Sequence, residues 1–283
     1  RKEVPDSGGA GKFRGGLSAE SCFIPHNTPS ITQDTLSSGN ATPTATGMMG
    51  GYPGTTNEYK YVRHSDIQDR IKSRKMIDDI AEVVGESVTL QLRQINFEQF
   101  PADVYSVVCS AAGGFGDPLD RDPQKVKEDV DAHSVTGDGA REMYGVIIEP
   151  GTGEIDHKAT ESLRTDIRNA RLNGHHLKPM KVNGELLLEV TENIHLRSEK
   201  GRTVYCCAKC CTEIGQLGEN YKEHCIRIDQ HVSKSNLLIG EPSRFIDDVP
   251  EFRQFVCPGC GTLIENEIAM KGEPLLMDVH IEK

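Results

Sequence analysis

Two pairs of cysteines in the last third of the chain place the strongest constraint on its fold. Cys207 and Cys210 form one CxxC pair, and Cys257 and Cys260 form another. Each CxxC turn presents two thiolates from one tight stretch of backbone, and two such turns supply the four ligands of a tetrahedral zinc ion. The four cysteines therefore predict a zinc site that draws two distant parts of the chain together.

The distribution of the cysteines favours a metal over a disulfide framework. The chain has nine cysteines, of which Cys22 and Cys109 stand alone and seven lie between Cys206 and Cys260. Clustered CxxC pairs in a chain whose first residues show no secretory signal are typical of metal ligands in a reducing compartment. We therefore expect a cytoplasmic location. An iron site or a pair of disulfides is the alternative to zinc.

The first cysteine pair is ambiguous because it lies within the run CCAKCC at residues 206–211. Cys206 or Cys211 could replace a chosen ligand, and Cys211 stands at a position where glycine would be expected. We select Cys207 and Cys210 for their spacing. A site made of four cysteines leaves no open coordination position, so the zinc is expected to be structural rather than catalytic.

Charge and hydropathy limit the partners of the chain. Its 43 acidic residues exceed its 32 lysine and arginine residues, which gives a formal net charge of −11. Such a field repels phosphate backbones, so nucleic acid is not an expected partner. No apolar run approaches the roughly 20 residues that cross a bilayer, so no membrane association is expected. The chain opens with Arg1 instead of Met, and we expect it to be a processed or partial product.

The first 55 residues are rich in glycine, serine, threonine and proline. Recurring glycine clusters predict ordered turns that pass close to another surface, in a loop-rich segment that another part of the protein holds in place. Gly11-Lys12 is reminiscent of a phosphate-binding loop. Asp6 and Phe13 occupy the positions where that loop needs a glycine and a hydroxyl residue, so no ATP site is expected there.

Apolar periodicity and capping signals predict the regular elements. The predicted elements are half-buried strands over residues 88–92 and 104–109, a helix that starts at Asp122-Pro123, a short helix over residues 139–144, a strand over residues 146–148, a helix that begins after Asp156, and a hairpin at Asn183-Gly184. The helix after Asp156 is expected to turn Ala159, Leu163, Ile167 and Ala170 to one face.

Two further groups of polar residues have ordinary structural interpretations. Asp117, Asp120 and Asp122 could ligate a hard cation such as magnesium, but aspartates beside prolines commonly cap turns and start helices, and we favour that role. His175-His176 is interpreted as part of a linker. A domain boundary is expected near Lys178-Pro179, which divides the chain into residues 1–178 and residues 179–283. The predicted fold is α+β, a loop-rich mixed domain followed by a small, mostly β zinc-binding domain.

Four sequence blocks in the first part of the chain carry a family resemblance. They are DSGGAGKFRGG at residues 6–16, GGYPG at 50–54, GGFGDPLDRDP at 113–123 and AREMYGV at 140–146. Their order resembles the C-terminal half of hydantoinase B/oxoprolinase-type subunits. The cysteine-bearing part resembles the small zinc-binding subunit of acetone and acetophenone carboxylases, here fused in one chain.

This resemblance implies a subunit, or a fragment of one, of an ATP-dependent ketone carboxylase that converts a ketone and bicarbonate to a β-keto acid. It further implies a hydantoinase-A-type partner that binds ATP with Mg²⁺ or Mn²⁺, and an N-terminal half of the B-type subunit that carries the family's own metal site. Neither is found in this sequence, so no catalytic residue is assigned. The alternatives are a subunit of an ATP-dependent cyclic-amide hydrolase and a non-catalytic zinc-ribbon interaction module.

Overall fold

The computed structural model describes residues 1–172 and 179–281, and it has the α+β architecture that the sequence predicts. The strands are β1 (Lys2–Glu3), β2 (Ala19–Phe23), β3 (Ile31–Leu36), β4 (Glu58–Arg63), β5 (Glu86–Val88), β6 (Arg93–Gln99), β7 (Val104–Val108), β8 (Glu185–Glu189), β9 (Ile194–Glu199), β10 (Arg202–Cys207), β11 (Glu213–Gln216), β12 (Ile226–His231), β13 (Pro250–Val256) and β14 (Leu263–Met270). The helices are α1 (Ile67–Lys72), α2 (Pro123–Asp131), α3 (Gly137–Tyr144) and α4 (His157–Leu172). His175-His176 and Lys178, at the expected domain boundary, lie outside the described residues, and the boundary stays a prediction.

The strands form four sheets whose named pairs are all antiparallel in the described residues. The first part of the chain contains a five-stranded sheet in the order β1-β2-β7-β4-β5 and the ribbon β3-β6. The second part contains the sheets β11-β10-β9-β8 and β12-β13-β14. No helix in residues 1–172 and 179–281 is long and apolar enough to cross a bilayer.

Four elements predicted from the sequence are confirmed. Strand β7 covers the apolar run at residue 104, and helix α3 includes the predicted residues 139–144. Helix α2 begins at Pro123 because the carboxylate of Asp122 accepts a hydrogen bond from the Gln124 amide. Helix α4 begins directly after Asp156, as predicted. On its inner side three of the expected apolar residues are half-buried, whereas Ala170 is exposed and Arg171 is buried.

Two strand predictions are wrong. Strand β5 ends at Val88, and the chain continues as a loop in which Leu90 packs against two tyrosines of the neighbouring strands. Residues 146–148 form no strand, and Ile148 makes only an isolated bridge to Ile155. In both places apolar side chains find buried contacts without strand pairing, because periodicity reports which side chains are buried and leaves open how the backbone is bonded.

The predicted hairpin at Asn183-Gly184 is also wrong. Lys181 pairs with Thr212, beside β10 and β11, whereas the strand that follows, β8, pairs with β9 at the far edge of the same sheet. Asn183 and Gly184 therefore carry the chain across the sheet. A side chain at Gly184 would place its Cβ only 1.5 Å from the Ser198 carbonyl oxygen, so the glycine is needed for a close backbone approach.

The glycine-rich segments are ordered against one another, as the sequence predicts. We call residues 6–16, 45–54 and 111–116 the glycine loops. Their backbones exchange hydrogen bonds, such as those from the Tyr52 amide to the Ala10 carbonyl (2.7 Å) and from the Gly114 amide to the Tyr52 carbonyl (2.9 Å). A Cβ at Gly51 would lie 2.1 Å from the Gly114 carbonyl oxygen, so only glycine permits this spacing.

Side chains of the second part of the chain hold the glycine loops in place. Asn266 donates to the Gly51 carbonyl at 2.6 Å, and Gln254 donates to the Tyr52 hydroxyl at 2.9 Å. The Tyr52 ring meets the Phe252 ring edge-on at 5.1 Å between centroids. The surface expected to order the loop-rich segment is thus the cysteine-bearing part of the same chain.

Candidate metal centre

The structure brings together the four cysteines that the sequence selects. Their sulfur atoms all lie within 4.8 Å of one another. The Cys207 and Cys260 sulfurs are 3.8 Å apart, and those of Cys210 and Cys257 are 3.5 Å apart. Cys207 is the last residue of β10 and Cys257 follows β13, so the site joins two different sheets. Both of these cysteines are completely buried.

The two turns have the same backbone geometry. We call residues 207–212 the first knuckle and residues 257–262 the second knuckle. Each is closed by two backbone hydrogen bonds, which places its paired thiols on one side. These bonds run from Cys207 N to Thr212 O (2.9 Å) and from Cys211 N to Cys207 O (2.9 Å), and from Cys257 N to Thr262 O (2.9 Å) and from Gly261 N to Cys257 O (3.0 Å).

This common geometry explains the position of Cys211. It has φ +58°, and Gly261 at the equivalent place in the second knuckle has φ +71°. Cys211 therefore occupies the left-handed position that favours glycine. Cys206 packs on the other side of β10, against Val182 and Val204. Neither Cys206 nor Cys211 belongs to the four-cysteine cluster, although both were alternative ligands in the CCAKCC run.

Close packing between the knuckles restricts one further position. A Cβ at Gly259 would lie 2.0 Å from the Thr212 hydroxyl, so glycine lets the first knuckle approach the second. The Thr212 hydroxyl is also 3.2 Å from the Cys210 sulfur, and the Thr262 hydroxyl is 3.2 Å from the Cys260 sulfur. These hydroxyls can donate to thiolates, a contact that orients ligands and stabilises their charge.

Mutual hydrogen bonding divides the four thiols into two kinds. Contact with Cys207, with further contributions from the other thiols, lowers the pKa of Cys260 to about 6 and also lowers the pKa of Cys210. Hydrogen bonds within the cluster raise the pKa of Cys207 and of Cys257. Thiolates are the metal-binding form of cysteine, so a cation among the four sulfurs would stabilise their deprotonated state.

The sulfur positions fit a tetrahedral metal ion. Zinc–sulfur bonds of about 2.3 Å place the sulfurs of a tetrahedron about 3.8 Å apart. The Cys210–Cys257 and Cys207–Cys260 sulfur distances, 3.5 and 3.8 Å, agree with that edge length. The cysteines are unbridged in the structure. The donor set is therefore suited to a four-coordinate metal that has no open position.

A buried ion pair links the second knuckle to the first part of the chain. The carboxylate of Asp117, in the GGFGDP block, accepts hydrogen bonds from the guanidinium of Arg171 at 2.8 and 3.3 Å. Arg171 also donates to the Gly261 carbonyl at 3.1 Å, and the Leu263 amide donates to Asp117 at 3.0 Å. Two charged side chains with 0% and 8% exposure thus meet the backbone of the knuckle.

Burial alone would raise the pKa of Asp117. The charge and hydrogen bonds of Arg171, with amides of Leu263 and Leu119, outweigh that effect and hold the pKa below its ordinary value. Asp117 also has the predicted turn-capping role, because its carboxylate accepts a hydrogen bond from the Leu119 amide. The connection to Arg171 and the knuckle was missed, because the partner residues are distant in sequence.

Of the neighbouring aspartates, Asp122 has the expected capping role, whereas Asp120 forms ion pairs instead. Asp122 caps helix α2. Asp120 is the last residue of the turn that Asp117 caps, and it pairs with Arg168 at 3.0 Å and with Lys209 of the first knuckle. Asp120 and Asp117 therefore each connect the block at residues 113–123 to one of the two knuckles.

Comparison with known families supports two regions of different origin. Residues 1–118 match the family model described as hydantoinase B/oxoprolinase. Residues 180–282 match the model described as acetone carboxylase gamma subunit. The chain joins a hydantoinase B region to an acetone carboxylase gamma-subunit region. The family resemblance expected from the sequence is confirmed, and the four cysteines all lie in the gamma-subunit region.

Individual relatives agree with this assignment. The chain is 32% identical to the acetone carboxylase alpha subunit of Xanthobacter autotrophicus, in a match that covers 61% of this chain and 24% of the relative. It is 27% identical to the acetophenone carboxylase delta subunit of Aromatoleum aromaticum, over 59% of this chain and 26% of the relative. The chain is homologous to subunits of these carboxylases and spans about a quarter of their length.

The chain also aligns with parts of two solved structures. The nucleotide-free structure of acetone carboxylase, described with its mechanism of ATP-dependent acetone carboxylation, aligns with a TM-score of 0.51 and 27% identity over 62% of this chain and 25% of that one. The ATP-dependent caprolactamase of Pseudomonas jessenii aligns with a TM-score of 0.44 and 27% identity, over 58% and 25%.

Proposed function

We propose that this chain is part of a multi-subunit ATP-dependent ketone carboxylase, and that Cys207, Cys210, Cys257 and Cys260 hold a structural zinc ion within it. The observation that carries the proposal is the presence of both family regions in one chain, packed together along the knuckles and the glycine loops. Ring opening of a cyclic amide by a hydantoinase-type enzyme would not by itself require the gamma-subunit region.

The donor set supports zinc in a structural role. Four sulfur ligands leave no coordination position for a substrate or a water molecule. Metal binding at such sites contributes folding free energy of about 10–16 kcal/mol in small zinc-binding peptides, because the unfolded chain has no preformed site. In this chain the ion would fix the two knuckles, and the knuckles would fix the sheets β11-β10-β9-β8 and β12-β13-β14.

The same site supports the glycine loops. Beyond Asp117, the carboxylate of Glu265 accepts hydrogen bonds from the amides of Met49 and Gly50 at 3.0 and 3.3 Å. Asn193, which precedes β9, donates to the Met49 carbonyl at 2.7 Å and also to the carbonyls of Leu263 and Ile264. Order in the gamma-subunit region is therefore transmitted to the hydantoinase B region through directional hydrogen bonds.

In the proposed complex, a hydantoinase-A-type subunit binds ATP with Mg²⁺ or Mn²⁺. The reacting groups come from that subunit and from the N-terminal half of the B-type subunit. The substrates are a small ketone and bicarbonate, and the product is a β-keto acid. This chain supplies a rigid wall that helps to shield a reactive carboxyl intermediate from water. The homology to acetone and acetophenone carboxylase subunits supports this assignment.

Coupling of ATP hydrolysis to both substrates tests the proposal. The complex purified with its companion chains should hydrolyse ATP fastest when acetone or acetophenone and bicarbonate are both present, and omission of either should lower the rate at least tenfold. Oxoproline, hydantoin and caprolactam serve as comparison substrates. ATP hydrolysis that responds to a cyclic amide and ignores bicarbonate would identify the hydrolase alternative. A complex without ATPase activity would favour the interaction-module alternative.

A further inference from the structure

Strand β8 is an exposed apolar edge of the gamma-subunit region. It is the terminal strand of the sheet β11-β10-β9-β8, and its outer side has no strand neighbour among the described residues. Leu186, Leu187 and Leu188 are 40–49% exposed, and Glu185 and Glu189 are the end residues of the strand. An open edge with three consecutive leucines is a pairing and aggregation hazard unless another chain covers it.

A groove of about 570 Å³ lies beside this edge. Its lining includes Leu188 and Glu189 of β8, Met48 of the glycine loops, and Val279 and Ile281 of the C-terminal segment. Met48 is 56% exposed, so apolar surface continues from the strand into the groove. The surface therefore offers unpaired backbone groups and side-chain pockets next to each other, which is the combination that binds an added strand.

The charge of this surface limits the kind of polypeptide segment that can bind to it. The described residues that line the groove include Glu189, Glu265 and Asp278 but no lysine or arginine. Asp278 pairs with the buried Lys222 at 3.1 Å. Glu189 and Glu265 form no ion pair within the described residues, and neither does Glu185 at the other end of β8. Glu265 is held by the amides of Met49 and Gly50. The carboxylates that remain to complement a segment with basic and apolar residues are Glu185 and Glu189, at the two ends of the apolar strand.

We propose that β8 and the adjoining groove bind an extended segment of a partner polypeptide that alternates apolar and basic residues and adds a fifth strand to the sheet. The leucines and Met48 contact its apolar side chains, and the glutamates contact its lysines or arginines. The inference rests on the proposed function only in placing this partner within the same complex, because the binding surface itself lies on this chain.

Peptide binding to the full chain tests the inference. The probe is an acetylated, amidated peptide of alternating lysine and valine, KVKVKVK, and its twin EVEVEVE has the same apolar residues with opposite charge. The five residues of β8 span about 17 Å, a length that such a peptide covers. We expect KVKVKVK to bind saturably, at least tenfold more tightly than EVEVEVE, and to slow hydrogen exchange at the outward amides of β8.

Matched variants locate the binding. Leu188→Lys should weaken KVKVKVK binding at least tenfold, whereas Leu238→Lys, at a leucine of similar exposure outside the groove, should leave it unchanged. Thermal melts of both variants report folding, and Glu189→Lys is a second substitution with the same expected loss. Absence of saturable binding up to about 1 mM peptide, equal binding of both peptides, or loss in the Leu238→Lys protein would overturn the inference.

A second copy of the chain is the competing occupant. Sedimentation of the protein without peptide distinguishes the two occupants. If the occupant is a different polypeptide, the edge is open in the isolated chain and the protein sediments as a monomer. A concentration-dependent dimer that Leu188→Lys converts to monomer would assign the edge to self-association and contradict the proposal. A failure of peptide binding would leave the carboxylation assay unaffected, and a failure of carboxylation would leave peptide binding unaffected, so the two conclusions are tested separately.

Discussion

Asp117 and Arg171 form a buried ion pair, 2.8 Å between carboxylate and guanidinium, at the contact between the hydantoinase B region and the second knuckle. The pair joins the block at residues 113–123 to the end of helix α4, and Arg171 continues to the Gly261 carbonyl. A buried charge is tolerated only with a partner of opposite charge and further hydrogen bonds, and this pair has both. Several measurable properties depend on it.

Replacement of Asp117 should be costly. Asp117→Asn leaves the Arg171 guanidinium buried without a counter-charge, and breaking a buried pair in this way costs about 3–5 kcal/mol. The matched control is Asp122→Asn, because asparagine caps a helix about as well as aspartate and Asp122 is exposed. Urea unfolding measures both free energies. Equal stability of the Asp117→Asn and wild-type proteins would show that the pair does not support the interface.

The depressed pKa of Asp117 predicts the direction of the pH dependence of stability. A carboxyl whose folded pKa is lower than its unfolded value of about 3.9 stabilises the fold at higher pH. This contribution is complete above the unfolded pKa and is lost as pH falls through the folded pKa. The unfolding free energy should therefore fall below about pH 4 more steeply in the wild type than in Asp117→Asn. Parallel curves for the two proteins would contradict this assignment.

Substitution of the neighbouring cysteines should separate ligands from non-ligands. Cys210→Ser should reduce bound zinc from one ion per chain to a small fraction, whereas Cys206→Ala and Cys211→Gly should retain it. Glycine at position 211 removes left-handed strain of about 1 kcal/mol, and the greater freedom of the unfolded chain offsets a similar amount. Elemental analysis measures the metal. Loss of zinc in Cys211→Gly, or iron in the wild type, would refute the assignment.

Removal of the metal should loosen the glycine loops as well as the knuckles. Chelation frees the backbone that carries Glu265 and Asn193, so the amides of Met49 and Gly50 should lose protection in hydrogen exchange. Amides within β7 are the internal control, because that strand pairs on both sides within the five-stranded sheet. Protection that survives chelation at Met49 and Gly50 would show that the loops are ordered independently of the site.

Local chemistry is what the sequence predicted well. Each CxxC pair shows its ligand type and its ligand spacing within four residues. Asp122-Pro123 contains both a helix cap and a first helical residue. The start of helix α4 after Asp156 is local in the same sense. Such features survive in any tertiary context because their bonding partners lie within a few residues.

Features that depend on distant residues were predicted poorly. The Asp117 carboxylate accepts a hydrogen bond from the amide of Leu263, 146 positions later, and the sequence around neither residue predicts this contact. Asn183-Gly184 has an ordinary turn sequence, but the pairing of Lys181 with Thr212 sends the chain across the sheet instead. Leu90 follows strand periodicity and is buried in a loop. In each case long-range packing determined the backbone path.

The fate of isotopically labelled bicarbonate tests the central claim most directly. The complex that contains this chain, incubated with ATP, ketone and ¹³C-bicarbonate, should place the label in the carboxyl group of a β-keto acid. The complex prepared with Cys257→Ser in this chain should lose both assembly and labelled product. Unlabelled product with ATP consumed, or a ring-opened amide in place of a keto acid, would contradict the account.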